Sequence, residues 1–122
     1  MKLSEAIEIG VQRVPIQTFR KYFDYSGAQV IAACAIGHAV LGCVDIKQAE
    51  AFIADSLNNP LDGYRTIDDT TEILNQKNGI MLCNWPSCKE RKAYLGSMLT
   101  HLNDDHRMTS LQIVDWLKIR NL

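Results

Sequence analysis

The sequence predicts a mainly α, compact helical single domain, with a helical core over residues 1–79 and, over residues 80–122, a metal-ligand pattern followed by a final helix. Three observations predict it. Apolar residues recur at intervals of three and four in several segments, as on helices with one buried face. Those segments are punctuated by N-cap residues, prolines and an Asn-Gly pair. The stretch from Cys83 to His106, CNWPSCKERKAYLGSMLTHLNDDH, reads Cys-x4-Cys-x12-His-x4-His.

At 122 residues, 47% hydrophobic and 22% charged, the chain is long enough for one domain with its own core. A formal charge of −1 provides no overall field for nucleic acid or an acidic membrane. The charge is uneven, however: residues 1–76 hold 6 basic and 10 acidic groups, and residues 77–122 hold 7 and 4. DNA is therefore an alternative partner for the C-terminal end only. The opening MKLSEAIEIGVQR lacks the apolar core of a secretory signal, so a cytoplasmic location with reduced thiols is expected rather than a disulfide framework.

In chain order, the first helix is expected from an N-cap at Ser4 to Arg13, with Leu3, Ile7, Gly10, Val11 and Val14 inward and Pro15 as its stop. Residues 16–26 suit a short helix or an extended arm, with Phe19, Tyr22 and Phe23 packed inward. The run AQVIAACAIGHAVLGCV, Ala28 to Val44, is too short and interrupted for a membrane span and reads as one central buried helix whose small residues allow close approach. Asp45 and Gln48 form a capping-box pattern ahead of a third helix with Ala49, Phe52, Ile53 and Leu57 buried, stopped by Asn58-Asn59-Pro60. A turn at Asp62-Gly63 and a short helix from Asp69 or Thr70 to Gln76, closed by Asn78-Gly79, follow. Ile80 to Leu82 should enter the cysteine turn extended. Leu95, Met98, Leu99 and Leu102 place a helix over about Ala93–Asn103, and Thr109 with Gln112 caps a last helix carrying Ile113, Val114, Trp116, Leu117 and Ile119.

Cys83, Cys88, His101 and His106 are the candidate metal ligands, and Zn2+ is the expected ion, because two thiolates on a tight turn and two imidazoles on a following helix suit a tetrahedral site. On an ideal helix His106 points about 140° from His101, so the last turn must tighten or unwind for both rings to reach one ion. Other chemistry competes for these residues. A disulfide between Cys83 and Cys88 would consume both thiolates, and a catalytic cysteine would need a base and an orienting group, for which no familiar order is visible. Cys34, His38 and Cys43 form a rival group, but a histidine in an apolar run is better read as hydrogen-bonded in the core.

The cysteine–histidine segment resembles the C2H2 zinc finger in ligand order and linker length, over about a fifth of the chain. It departs from that pattern at Lys92, where an aromatic is usual, and Tyr94, Leu95, Gly96 and Ser97 offer no base-reading arginine. The resemblance thus implies the metal more than DNA. A second stretch, HLNDDHRMTSLQIVDWL from His101 to Leu117, resembles the tail of small uncharacterised bacterial and prophage-type proteins. It implies no activity, only that the finger and last helix travel together.

The expected function is a small intracellular, non-enzymatic adaptor or regulator, of phage-derived type, that binds another protein and carries a structural zinc. No catalytic residue is assigned. The alternatives are a DNA-binding regulator using the finger and last helix and, more remotely, a zinc-dependent hydrolase, which four protein ligands would leave without an open position for water.

Overall fold

Two helices in near backbone contact organise the chain. In the computed structural model, which describes residues 1–61, 72–75, 79–88 and 92–122, α1 (Leu3–Arg13) packs across α2 (Ala35–Cys43). A methyl group on Gly10 would collide with the His38 carbonyl oxygen, and one on Gly42 with the Ala6 carbonyl oxygen. Only hydrogen side chains permit that approach. Arg13 at the end of α1 donates to the carbonyls of Leu41 and Val44, occupying acceptors that the end of α2 leaves open.

α1 follows its expected face, with Leu3, Ile7 and Gly10 buried, but Ser4 is not its N-cap. Lys2 holds that position, and the buried Ser4 hydroxyl instead donates to the Leu122 carbonyl at 2.6 Å, tying the first helix to the last residue.

The expected single helix over Ala28–Val44 is divided. β1 (Phe23–Ser26) and β2 (Gln29–Ala33) form an antiparallel hairpin, and α2 begins only after Cys34. The hairpin loop opens on Gly27 at φ 61°, a conformation open to glycine. β2 alternates exposed Gln29 and Ile31 with buried Val30 and Ala32, the period of two that a strand requires. Cys34 stays extended and its sulfur accepts the Gly37 N–H at 3.4 Å, which starts the helix. Residues 16–18 lie extended along the other edge of β2, with Ala33 N–H donating to Ile16 and Thr18 N–H to Ala33. Tyr22, expected inward, is exposed.

α3 (Ile46–Ala54) starts where expected, with the Asp45 carboxylate accepting the Gln48 N–H at 2.9 Å. Ala49 and Phe52 are buried, whereas Leu57, beyond the end of the helix, is exposed. The Asp62-Gly63 turn and the Asp69 or Thr70 cap lie outside the described residues, as do Gln76 and Asn78; residues 72–74 are helical. β3 (Met81–Leu82) and β4 (Lys92–Ala93) form a second small antiparallel sheet, followed by α4 (Leu95–Asp104) and α5 (Ser110–Ile119). The Thr109–Gln112 capping box is present on α5.

The protein is therefore about half helical, with two small antiparallel sheets among the described residues, so the mainly α expectation holds only roughly. Its larger core joins Leu3 and Ile7 of α1, Ala35 and Ala39 of α2, Met98, Leu99 and Leu102 of α4, and Ile113, Val114 and Leu117 of α5. A smaller one gathers Val14, Val30, Ala33, Leu41 and Phe52. Among the described residues no helix is long and apolar enough to cross a membrane.

Candidate metal centre

Cys83 follows β3 directly, and the chain turns back through Asn84 at φ 58°, a left-handed conformation that asparagine adopts more readily than most residues. Cys88 N–H closes the turn on the Trp85 carbonyl at 2.8 Å. The pairing of Met81 with Ala93 and of Leu82 with Lys92 then delivers the chain to α4 beside that turn. Met98, Leu99 and Leu102 anchor α4 in the core, and this fixes where His101 on the same helix stands.

The end of α4 solves the problem posed by five-residue spacing. Asp105 N–H makes the ordinary bond to the His101 carbonyl at 2.9 Å, but His106 N–H reaches the same carbonyl at 3.3 Å, and Met108 N–H reaches Leu102 at 3.0 Å. The turn widens to a bond across five residues instead of tightening, which brings residue 106 back towards residue 101. Arg107 at φ 50° then takes the chain out of the helix.

The result is a cluster in which one donor atom from each of Cys83, Cys88, His101 and His106 lies within 4.8 Å of all the others. Cys83 Sγ is 3.2 Å from His106 Nε2, and Cys88 Sγ is 3.5 Å from His101 Nε2. Around a tetrahedral zinc, bonds of about 2.3 Å to sulfur and 2.0 Å to nitrogen put neighbouring donors roughly 3.3–3.8 Å apart. The two thiol–imidazole distances are close to that range and the other separations stay within 4.8 Å, so the four residues could hold a metal ion. No disulfide joins Cys83 to Cys88 among the described residues.

The two imidazoles are held differently. His101 is buried and its Nδ1 lies 2.6 Å from the Asp105 carboxylate. The His106 ring stacks on Trp85, centroids 4.5 Å apart and planes 14° off parallel, and meets His101 edge-on at 4.6 Å. Desolvation pushes the His106 pKa below its ordinary value, helped by the neighbouring His101 and opposed by Asp105. A neutral ring is the form that ligates a metal.

Cys88, His101 and Asp105 also stand in the order of nucleophile, base and orienting group, which the sequence reading did not find. Asp105 lies four residues after His101, a spacing that places the two on one helix face and is the signal that could have found the pair. The rival group is core structure. His38 is fully buried, with Nε2 2.7 Å from the Val14 carbonyl and Nδ1 2.7 Å from the Ser110 hydroxyl. Since a carbonyl can only accept, Nε2 carries the proton and Ser110 donates to Nδ1. Desolvation lowers the His38 pKa, partly offset by the Val14 bond, while burial raises that of the Cys34 thiol.

Asn103 was missed entirely by the sequence reading. It is 1% exposed, and its Oδ1 accepts from Gln17 Nε2 at 2.7 Å and Ala35 N–H at 3.0 Å, while Nδ2 donates to Thr18 at 3.2 Å. It sits between the two histidines and holds residues 17–18 and the start of α2 against the end of α4. Nothing in an Asn-Asp-Asp run distinguishes a buried network from an ordinary helix stop.

Fold and site together define a half-helical protein with a Cys2His2-type cluster. No family model matches the chain, and neither curated proteins nor solved structures contain a significant match.

Proposed function

We propose that this is a small, intracellular, non-enzymatic protein whose Cys83, Cys88, His101 and His106 hold a structural Zn2+, and which binds another protein. The convergence of four donors from a turn and a helix carries the metal reading. Four protein ligands complete a tetrahedron and leave no position for a reactive water, which favours a structural over a hydrolytic ion. Thiolate ligands are kept most readily in the reducing conditions of a cell interior, which supports the intracellular reading.

A protein partner is favoured by the second hairpin, where Leu82 is exposed opposite Lys92 and exposed Ile80 and Tyr94 continue the same outer face. DNA is disfavoured by the last helix. Lys118 pairs with Glu8 at 2.6 Å, and Arg120 lies over the Trp116 ring at 3.7 Å while donating to the Trp116 carbonyl, so both cations already have partners.

The order Cys88–His101–Asp105 favours a second reading, thiol-dependent acyl transfer. That chemistry gives no role to Cys83 and His106, whereas the metal uses all four residues. Metal analysis of protein purified without chelator separates the two. About one zinc per chain, with all four thiols titratable after denaturation and chelation, is expected; absence of metal together with rapid alkylation of Cys88 alone supports the thiol enzyme. Salt-sensitive retention of random duplex DNA, lost when Arg107, Lys118 and Arg120 are neutralised, would instead favour the DNA-binding alternative.

A further inference from the structure

The carboxylates of Asp104 and Asp105 are neighbours in sequence with opposite assignments in space. Asp104 Oδ1 accepts the Arg20 N–H at 2.9 Å and Asn103 Nδ2–H at 2.8 Å, holding the arm that follows α1. Asp105 Oδ2 lies 2.6 Å from His101 Nδ1. From this geometry we infer that Asp105 is a positioning residue for the metal centre, fixing the tautomer and rotation of His101 before an ion arrives. The inference rests on the metal reading of the cluster.

An ionised carboxylate only accepts, so a bond of this length places the ring proton on Nδ1 and leaves the Nε2 lone pair facing Cys88 Sγ, 3.5 Å away. The opposite tautomer would put a proton where the ion must bind. Rotation is constrained as well: the ring is buried on a helix anchored by Met98, Leu99 and Leu102, and Asp105 N–H bonds back to the His101 carbonyl, so the carboxylate is carried by the same turn. The negative charge also increases the electron density His101 offers the ion. His106 has the Trp85 face as its support, so loss of Asp105 should disturb one ligand and leave the other three in place.

The test compares Asp105→Ala, Asp105→Asn and Asp104→Ala with the unmodified chain, by competition for Zn2+ against a chromophoric chelator and by Co2+ absorption. Both alanine variants remove one negative charge close to the site, so a general field effect would weaken them alike. A positioning role separates them. Asp105→Ala should lose about 10- to 100-fold in zinc affinity, Asp105→Asn less because its amide oxygen still accepts, and Asp104→Ala a few-fold at most. The Nδ1–H proton of His101, slow to exchange in the zinc-loaded unmodified chain, should exchange rapidly in Asp105→Ala, while the Co2+ spectrum keeps its thiolate charge-transfer bands. Equal affinities for Asp105→Ala and Asp104→Ala would overturn the positioning role alone. An unmodified chain that fails to bind zinc or cobalt would overturn the metal centre itself, and the two failures are thus distinguishable.

Discussion

The crossing of α1 on α2 and the lobe formed by β3, β4 and the end of α4 hold their shape by opposite means. At the crossing, Gly10 and Gly42 let the backbones touch, and Leu3, Ala6, Ile7, Ala35 and Ala39 exclude water completely. The lobe has two-residue strands, exposed Ile80, Leu82 and Tyr94, and at its centre four side chains that could hold a metal ion. Ordering a residue costs roughly 1–2 kcal/mol of backbone entropy, which burial repays at the crossing but which such short strands do not recover by themselves. α4 belongs to both regions, with its leucines in the core and His101 in the lobe. α5 is fastened to α1 by the Ser4–Leu122 and Lys118–Glu8 contacts as well as by packing.

With the proposed zinc in place, the largest effect should follow from removing it. A closed zinc site contributes on the order of 10 kcal/mol to a small module. Chelation, or Cys88→Ser, should therefore abolish amide protection at residues 81–88 and 92–94 and in the last turn of α4, while α1, α2 and α5 remain protected. Hydrogen exchange read segment by segment checks this. Uniform loss across the chain would mean that the two regions are not separable.

Next in size is the reverse experiment at the crossing. Gly42→Ala places a methyl group on the Ala6 carbonyl and should cost about 1–3 kcal/mol or more, lowering the thermal midpoint while zinc stoichiometry stays near one. Denaturation and metal analysis of the same sample would show whether the regions fail independently.

His38 sharpens the comparison through pH. Its folded pKa is depressed from the ordinary value of 6.5 by burial, so as pH falls below that value the unfolded chain takes up a proton that the folded chain resists. More protons bound in the unfolded state means stability falls with falling pH; the contribution is complete above about 6.5 and is lost towards the lower folded pKa. His38→Gln should be less stable than the unmodified chain at pH 8, by about 1–3 kcal/mol for the broken Val14 and Ser110 bonds, and the gap should narrow towards pH 5. Urea titrations of metal-free protein at each pH provide the measurement.

The smallest effect is expected at Thr109. Its hydroxyl accepts the Gln112 N–H at 3.1 Å, and Thr109→Ala should cost about 1 kcal/mol by chemical denaturation without altering zinc binding.

Much of the candidate site was legible because ligand chemistry is written in residue type and spacing. The two cysteines bracket a turn-forming Asn-Trp-Pro-Ser, and the histidines follow an apolar stripe that could only be helical. The helix starts at Asp45 and Thr109 were legible for a related reason: a cap is a local bond between residues three apart. The first hairpin was hidden because Ala28 to Val44 is almost continuously apolar, and an apolar run has the same appearance as a strand or as a helix.

By itself the sequence determined the features that depend on near neighbours: the capped helices, the proline stop after α1, the cysteine turn and the four donors able to take a metal. Only the tertiary structure decided which apolar residues became β2, because exposure of Gln29 and Ile31 depends on what covers the other face of that strand. It also decided that Ser4 anchors Leu122, that His38 is locked between Val14 and Ser110, and that Asn103 joins α4 to residues 17–18. Each of these is a polar group satisfied by a partner distant in sequence. Burial makes such a bond obligatory, but the partner's identity is set by how the helices pack.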